Sequence, residues 1–236
     1  MIKQFTFNHF EVNCYLIVDT ASRRCAIVDP APEASFEDAQ LAQYIEQEGL
    51  TVTHILLTHA HVDHIAGLRQ CCEHYHLPVS MHPEGRKLLR QAEAWGAMMG
   101  FAVDNMGDLE VVELGDGDVI QVGGVRSEGG GPDNKTQQPP TSNLTPPTSI
   151  ECRYVPGHCP GSLCFVLPGE KAVITGDALF HYSIGRTDLP GGDYPTLIEK
   201  LKTRILTLPD DYRVLPGHGI ESLIGKERKY NSFLNA

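Results

Sequence analysis

The chain has 236 residues, 41% of them hydrophobic and 21% charged, which suits one sizeable globular domain with a core that needs no disulfide staples. Its formal net charge of −11 argues against nucleic acid as a partner, because phosphate backbones are met by clustered Lys and Arg. No apolar stretch approaches membrane-spanning length, and the start of the chain lacks the apolar core of a signal peptide, so the expectation is a cytoplasmic protein with no membrane partner.

The elements are read in chain order. Cys14–Val18 and Cys25–Val28 are short apolar runs around the turn Asp19–Ser22, and predict paired strands. Ser35 opens a helix with Phe36, Leu41, Tyr44 and Ile45 as its apolar face, and Gly49 ends it. His54–Leu57 reads as a buried strand. Ile65–His76 predicts a helix stopped near Pro78, and Val79–Met81 a short strand. A helix from Pro83 is expected to turn Leu88, Leu89 and Trp95 inward. Val119–Val122 is a strand between glycine turns.

Residues 126–149 differ in composition. Gly129–Pro132, Pro139-Pro140 and Pro146-Pro147 sit among Thr, Gln, Asn and Ser, with too few apolar residues to offset the entropy of ordering. They predict a mobile surface insertion. Strands resume at Ile150–Val155, Leu163–Leu167 and Ala172–Thr175. A helix over Tyr194–Leu206, a strand over Tyr212–Leu215 and a charged helix from Lys226 follow. Strands precede helices twice, which predicts two sheets with helices outside.

Seven cysteines, an odd number without a C-x-x-C pair, predict reduced thiols. The chemistry is concentrated elsewhere. Thr58-His59-Ala60-His61-Val62-Asp63-His64-Ile65-Ala66-Gly67 places three histidines and an aspartate within six residues, just after a strand. Imidazole and carboxylate are the usual ligands of zinc and non-haem iron. Three further segments repeat one form, an apolar strand and then a turn with a ligand-type residue: Pro156-Gly157-His158, Gly176-Asp177 and Pro216-Gly217-His218. His59, His61 and His158 suffice for one metal, and Asp63, His64 and His218 for a second. Asp177, which as a bland alternative caps a helix, has two oxygens and can bridge both. Each metal would keep an open position, as catalytic sites do. His9, His54, His74, His76, His82 and His181 lack this context and are expected to be structural, and Cys159 to be packing.

T-H-A-H-V-D-H-I-A-G, P-G-H-C-P-G-S, G-D-A-L-F and P-G-H-G, in that order, resemble the motifs of the metallo-β-lactamase superfamily over nearly the whole chain. Gly185–Asp193 and Gly225–Asn231 are similar to the short glyoxalase II-like (hydroxyacylglutathione hydrolase-like) hydrolases. The resemblance implies an α+β fold, a four-layer αββα sandwich, in one domain over residues 1–236. It implies two divalent ions, with zinc foremost and iron or manganese as alternatives. Hydrolysis of a small thioester, with glutathione as its thiol part, would use a hydroxide bridging the metals, and turnover would depend on Asp63 and Asp177. Arg186 lies where that family offers a basic residue to glutathione, though it can equally pair with Asp188 or Asp193. Long glyoxalase II enzymes add a C-terminal helical domain that completes the glutathione site. This chain runs eighteen residues past His218, which leaves another thioester or a lactone open as the substrate. A one-iron persulfide dioxygenase, with ligands at His59, His158 and Asp177, is the rival enzyme, and a non-enzymatic metal-binding module is a third reading.

Overall fold

The computed structural model describes residues 1–123 and 147–235. Its first half builds a six-stranded sheet: β1 (Ile2–Phe7), β2 (Val12–Asp19), β3 (Arg24–Val28), β4 (Thr51–Leu56), β5 (Val79–Met81) and β6 (Val111–Glu113), side by side in chain order. β1–β3 form an antiparallel meander, and β3–β6 run parallel. Parallel neighbours need crossovers. These are α1 (Ser35–Gln47), α2 (Leu68–Tyr75), and α3 (Arg86–Arg90) with α4 (Ala92–Met99).

The second half builds another six-stranded sheet. Its strands are β7 (Val119–Val122), β8 (Thr148–Tyr154), β9 (Leu163–Leu167), β10 (Ala172–Gly176), β13 (Arg213–Pro216) and β14 (Ser222–Leu223), and their spatial order is β14-β13-β10-β9-β8-β7. β11 (Leu179–Phe180) and β12 (Ser183–Ile184) form a small hairpin beyond β10, α5 (Tyr194–Lys200) crosses from it to β13, and α6 (Ile224–Tyr230) follows β14.

Alternation along the strands makes the layers. All eight residues of β2 are buried. Cys14 and Leu16 face a core shared with Leu41 and Ile45 of α1 and Leu68 of α2. Tyr15 and Ile17 face the opposite way, into a core between the sheets with Ile150, Phe165 and Ile174. A third core joins Val166, Val173 and Val214 to Leu197, Leu201 and Ile224 under α5 and α6. A sheet apolar on both faces needs cover on both, so the order is helix, sheet, sheet, helix, as expected. The seven cysteines are free and buried. No described helix is long and apolar enough to cross a membrane.

Some expectations change. Phe36 is 72% exposed; five residues before Leu41, it falls about 140° around the helix from the Leu41–Ile45 stripe. The helix expected from Ile65 starts at Leu68, because the residues before it form tight turns, His64 N to His61 O and Leu68 N to Ile65 O at 3.0 Å each. The segment 126–149 ends earlier than expected, since Thr148 and Ser149 pair with Val122 and Gln121 in β8–β7. Its expected mobility concerns residues outside the described ones. The helix from Pro83 breaks at Gln91 into α3 and α4.

Candidate metal centre

Four turns converge at one rim of the sandwich. Thr58–Gly67 follows β4, His158 follows β8, Asp177 follows β10 and His218 follows β13. The strands hold their ends rigidly, so side chains far apart in sequence meet in fixed positions. All seven expected residues come together there. One ligand atom each from His59, His61, His158 and Cys159 lies within 4.8 Å of the others; so do those of His59, His64 and Asp177, and those of Asp63, His64 and His218. Asp177 stands between the two triads. Its Oδ2 is 3.7 Å from His158 Nε2 and 3.6 Å from His218 Nε2, and its Oδ1 is 3.2 Å from His64 Nε2. It caps no helix.

Glycine makes this convergence possible. A Cβ on Gly217 would lie 2.3 Å from Asp177 Oδ1 and 2.7 Å from the His64 ring, and one on Gly157, at φ +122°, would lie 2.5 Å from Leu197 N at the start of α5. The glycine of each P-G-H segment therefore leaves room for a neighbour, α5 at Gly157 and the Asp177 and His64 side chains at Gly217.

Groups outside the expected set fix the imidazoles. Asp29 follows β3 in a left-handed conformation, φ 52°, which Asp tolerates better than most residues. Its Oδ1 accepts from Thr58 N at 2.7 Å and its Oδ2 from the Thr58 hydroxyl at 2.6 Å; Oδ2 also lies 3.0 Å from His64 Nδ1. That hydroxyl has one proton and gives it to Asp29. It can therefore only accept from His59 Nδ1, 3.1 Å away. One carboxylate thus sets two tautomers and leaves Nε2 of His59 and His64 as the inward atoms. The Arg186 carbonyl accepts from His158 Nδ1 at 2.8 Å, and the Phe10 carbonyl from His218 Nδ1 at 2.9 Å.

The two triads differ in charge. Burial, with the His64 and His61 rings nearby, holds the His59 pKa well below its ordinary value. Burial and His158 push His61 down to about 4, and burial lowers His158. In the other triad burial acts the same way but is outweighed. Asp177 and Asp63 raise His64 well above its ordinary value, and a hydrogen bond to Asp63 with the Asp177 charge raises His218. Burial works against ionisation of Asp177 and Asp63, yet the His64 charge heads the influences that keep both below the usual carboxylate range.

The cluster fits a cation. His59 Nε2, His64 Nε2 and Asp177 Oδ1 are buried and make no hydrogen bond. Each such group costs about 1–3 kcal/mol unless something satisfies it, and cations held by this cluster would satisfy all three. The donor set, imidazole with carboxylate, is what first-row divalent ions take.

A cavity of about 410 Å³ opens onto these residues. Phe10, Arg186 and Leu189 line it, with Leu88 and Trp95 of the α3–α4 segment. The sequence placed Leu88, Leu89 and Trp95 inward; Leu89 is buried in the first core with Leu88 packed against it, and Leu88 and Trp95 also face the cavity. The Arg186 side chain is committed to Asp188 through two hydrogen bonds of 2.8 Å. His181 packs on Tyr182 and His82 on Tyr154, and neither lines the cavity. Cys159 is buried among the first triad, its thiol pushed up to about 12 by burial. The sequence reading missed Asp29, Thr58 and the Phe10 carbonyl. Asp29 had a usable signal, since Ala26-Ile27-Val28-Asp29-Pro30 repeats the apolar-strand-then-ligand form.

An αββα sandwich with histidines and carboxylates gathered at one rim defines a metallo-hydrolase class of protein. The model of the metallo-beta-lactamase superfamily matches residues 8–218, and the chain belongs to that superfamily, whose members bind divalent metals. It is 34% identical to the probable metallo-hydrolase YqgX of Bacillus subtilis, over 95% of this chain and 93% of that one. It is 33% identical to the hydroxyacylglutathione hydrolase GloC of Haemophilus influenzae, over 96% and 94%. Among solved structures, the B3 metallo-beta-lactamase BLEG-1 superposes with a TM-score of 0.82 at 28% identity, over all of both chains. TTHA1623 in a di-iron-bound form gives 0.77 at 31%, over 98% of this chain and 100% of that one. ETHE1 from Myxococcus xanthus gives 0.72 at 25%, over 98% and 83%.

Proposed function

We propose that this metallo-hydrolase cleaves thioesters in the manner of glyoxalase II. The observation that carries the reading is the completeness of the second triad: Asp63, His64 and His218 converge as closely as the three histidines of the first, with Asp177 between them. The GloC relative, similar along almost its whole length, supplies the substrate class. His59, His61 and His158 would hold one ion, Asp63, His64 and His218 a second, and Asp177 would serve both. Zinc is the first choice, and the di-iron relative keeps iron beside it. Ions held there would bring the pKa of bound water to about 7 and polarise a carbonyl.

The chain's own residues do the rest. Asp29, Thr58 and the carbonyls of Phe10 and Arg186 fix which imidazole nitrogen faces inward. Asp177 and Asp63, held ionised, supply the carboxylate charge that a cation there would meet. The cavity walls position the ester. A thiolate of pKa about 8.5 leaves without a general acid.

Metal analysis and S-lactoylglutathione hydrolysis on the same preparation test this. Two equivalents of metal with turnover are expected. Two equivalents with no thioesterase activity would overturn it. The one-iron dioxygenase reading draws on the subset His59, His158 and Asp177, and one equivalent of iron with persulfide-dependent oxygen uptake would establish it instead.

A further inference from the structure

The part of the cavity lined by α3 and α4 carries chemistry that the metal centre does not use. Leu88 of α3 and Ala92, Trp95 and Met99 of α4 line it at spacings of four, three and four residues, so both helices turn apolar residues to the cavity. Beside this apolar stripe lie Lys87 and Gln91, again four residues apart.

Two Lys or Arg side chains line the cavity, and they differ. Arg186 is neutralised by Asp188. Lys87 is exposed and makes no hydrogen bond or ion pair with another described residue. Its neighbour Arg86 is taken by Glu113 at 3.1 Å. The nearby cavity carboxylate, Glu84, accepts from the Tyr154 hydroxyl. In a chain of net charge −11, an exposed ammonium that lines the cavity and has no ion-pair partner among the described residues is a local attraction for an anion. Gln91 adds an amide donor one turn on, and Trp95 and Leu88 offer surface to an aliphatic stem.

We propose that Lys87, with Gln91, binds a carboxylate on the thiol arm of the substrate, while the Leu88–Trp95 stripe takes the arm's apolar part. The assignment rests on the thioester reading for the identity of that arm. It makes Lys87 the residue that selects anionic thioesters over neutral ones.

Trp95 is the one tryptophan of the chain, so intrinsic fluorescence reports on this wall directly. The probe is S-hexylglutathione, a thioether that cannot be hydrolysed, compared with the same compound bearing both carboxylates as ethyl esters. The metal-loaded wild type should bind the free acid more tightly. Lys87→Met should weaken acid binding by about three- to tenfold and leave the diester unchanged, as expected for one partly solvated charged contact. Lys87→Arg should restore the preference. Salt should erode it in the wild type and in Lys87→Arg, and should change little in Lys87→Met. With S-lactoylglutathione, the Lys87→Met change should appear in KM rather than kcat. Equal loss of acid and diester binding, or no loss of either, would overturn the proposal. A Lys87-dependent acid preference without thioester turnover would keep the anion site and sink the thioester reading. Turnover without Lys87 dependence would sink the anion site alone.

Discussion

At one end of the centre, His59, His61 and His158 form a triad of imidazoles kept neutral by burial and by one another. At the other, His64 and His218 sit against Asp63 and Asp177 and hold protons readily. The two ends lie on one rim and share one aspartate, yet they would receive a cation differently. The first offers three lone pairs at neutral pH. The second offers carboxylate charge, with protons that a cation must displace. Charge is therefore concentrated on the side supplied by Asp63, His64 and the β13 turn, while the side supplied by His59, His61 and the β8 turn is charge-poor.

Asp177→Ala should break the comparison outright, because it removes what the two ends have in common. Metal content at both ends should fall, and kcat/KM should drop by roughly a thousandfold, as when charge stabilisation at a reaction centre is lost. Metal analysis with thioesterase assays checks this, and full activity with two ions still bound would refute it. Asp29→Ala comes next. It touches neither ion position but frees the tautomers of His59 and His64 together. Metal affinity should weaken by about ten- to a hundredfold at both ends, measured by competition with a chelator. Loss at one end only would show that the Thr58 link to His59 carries no weight.

pH should separate the ends more gently. The folded-state pKa of His64 lies well above that of the unfolded chain. Its contribution to stability of the metal-free protein is therefore fully present below about pH 6.5 and lost as pH rises through the folded value. His61, at about 4, is already neutral at pH 7. Metal titration by calorimetry in two buffers of different ionisation enthalpy should then show proton release for the second triad and little for the first. The smallest effect is expected from Arg186→Met. His158 is held by the backbone carbonyl of that residue, which survives the substitution, and the guanidinium is already paired. KM for S-lactoylglutathione should rise by no more than about threefold.

How much of this could be read from the sequence depends on where each residue's information lies. His59, His61, Asp63 and His64 were legible because ligand-type residues are dense in one short run. His158, Asp177 and His218 were legible because each repeats a strand-then-turn pattern. The helix-sheet-sheet-helix order followed from apolar runs and their spacing, and from a family resemblance. β1 escaped because Lys3 and Gln4 interrupt its apolar pattern, and β6 because three residues carry too little periodicity. The Phe10 and Arg186 carbonyls could not be read at all, since every residue has one and only the fold selects which of them faces a histidine. Of the helix face read as inward, Leu89 meets the core while Leu88 and Trp95 also line the cavity, because helical periodicity marks an apolar face without saying whether it meets protein or a cavity.

The buried cysteines give the molecule a built-in counter of its own opening. Burial pushes Cys25, Cys152 and Cys159 up to about 12 and Cys72 to about 11. A thiol that is both shielded and protonated reacts with alkylating reagents only when the chain around it opens. Cys14, Cys25, Cys71 and Cys72 lie on the first sheet and its helices, and Cys152, Cys159 and Cys164 on the second sheet and the turn after β8. The order in which they are alkylated would therefore time the loosening of each half of the sandwich.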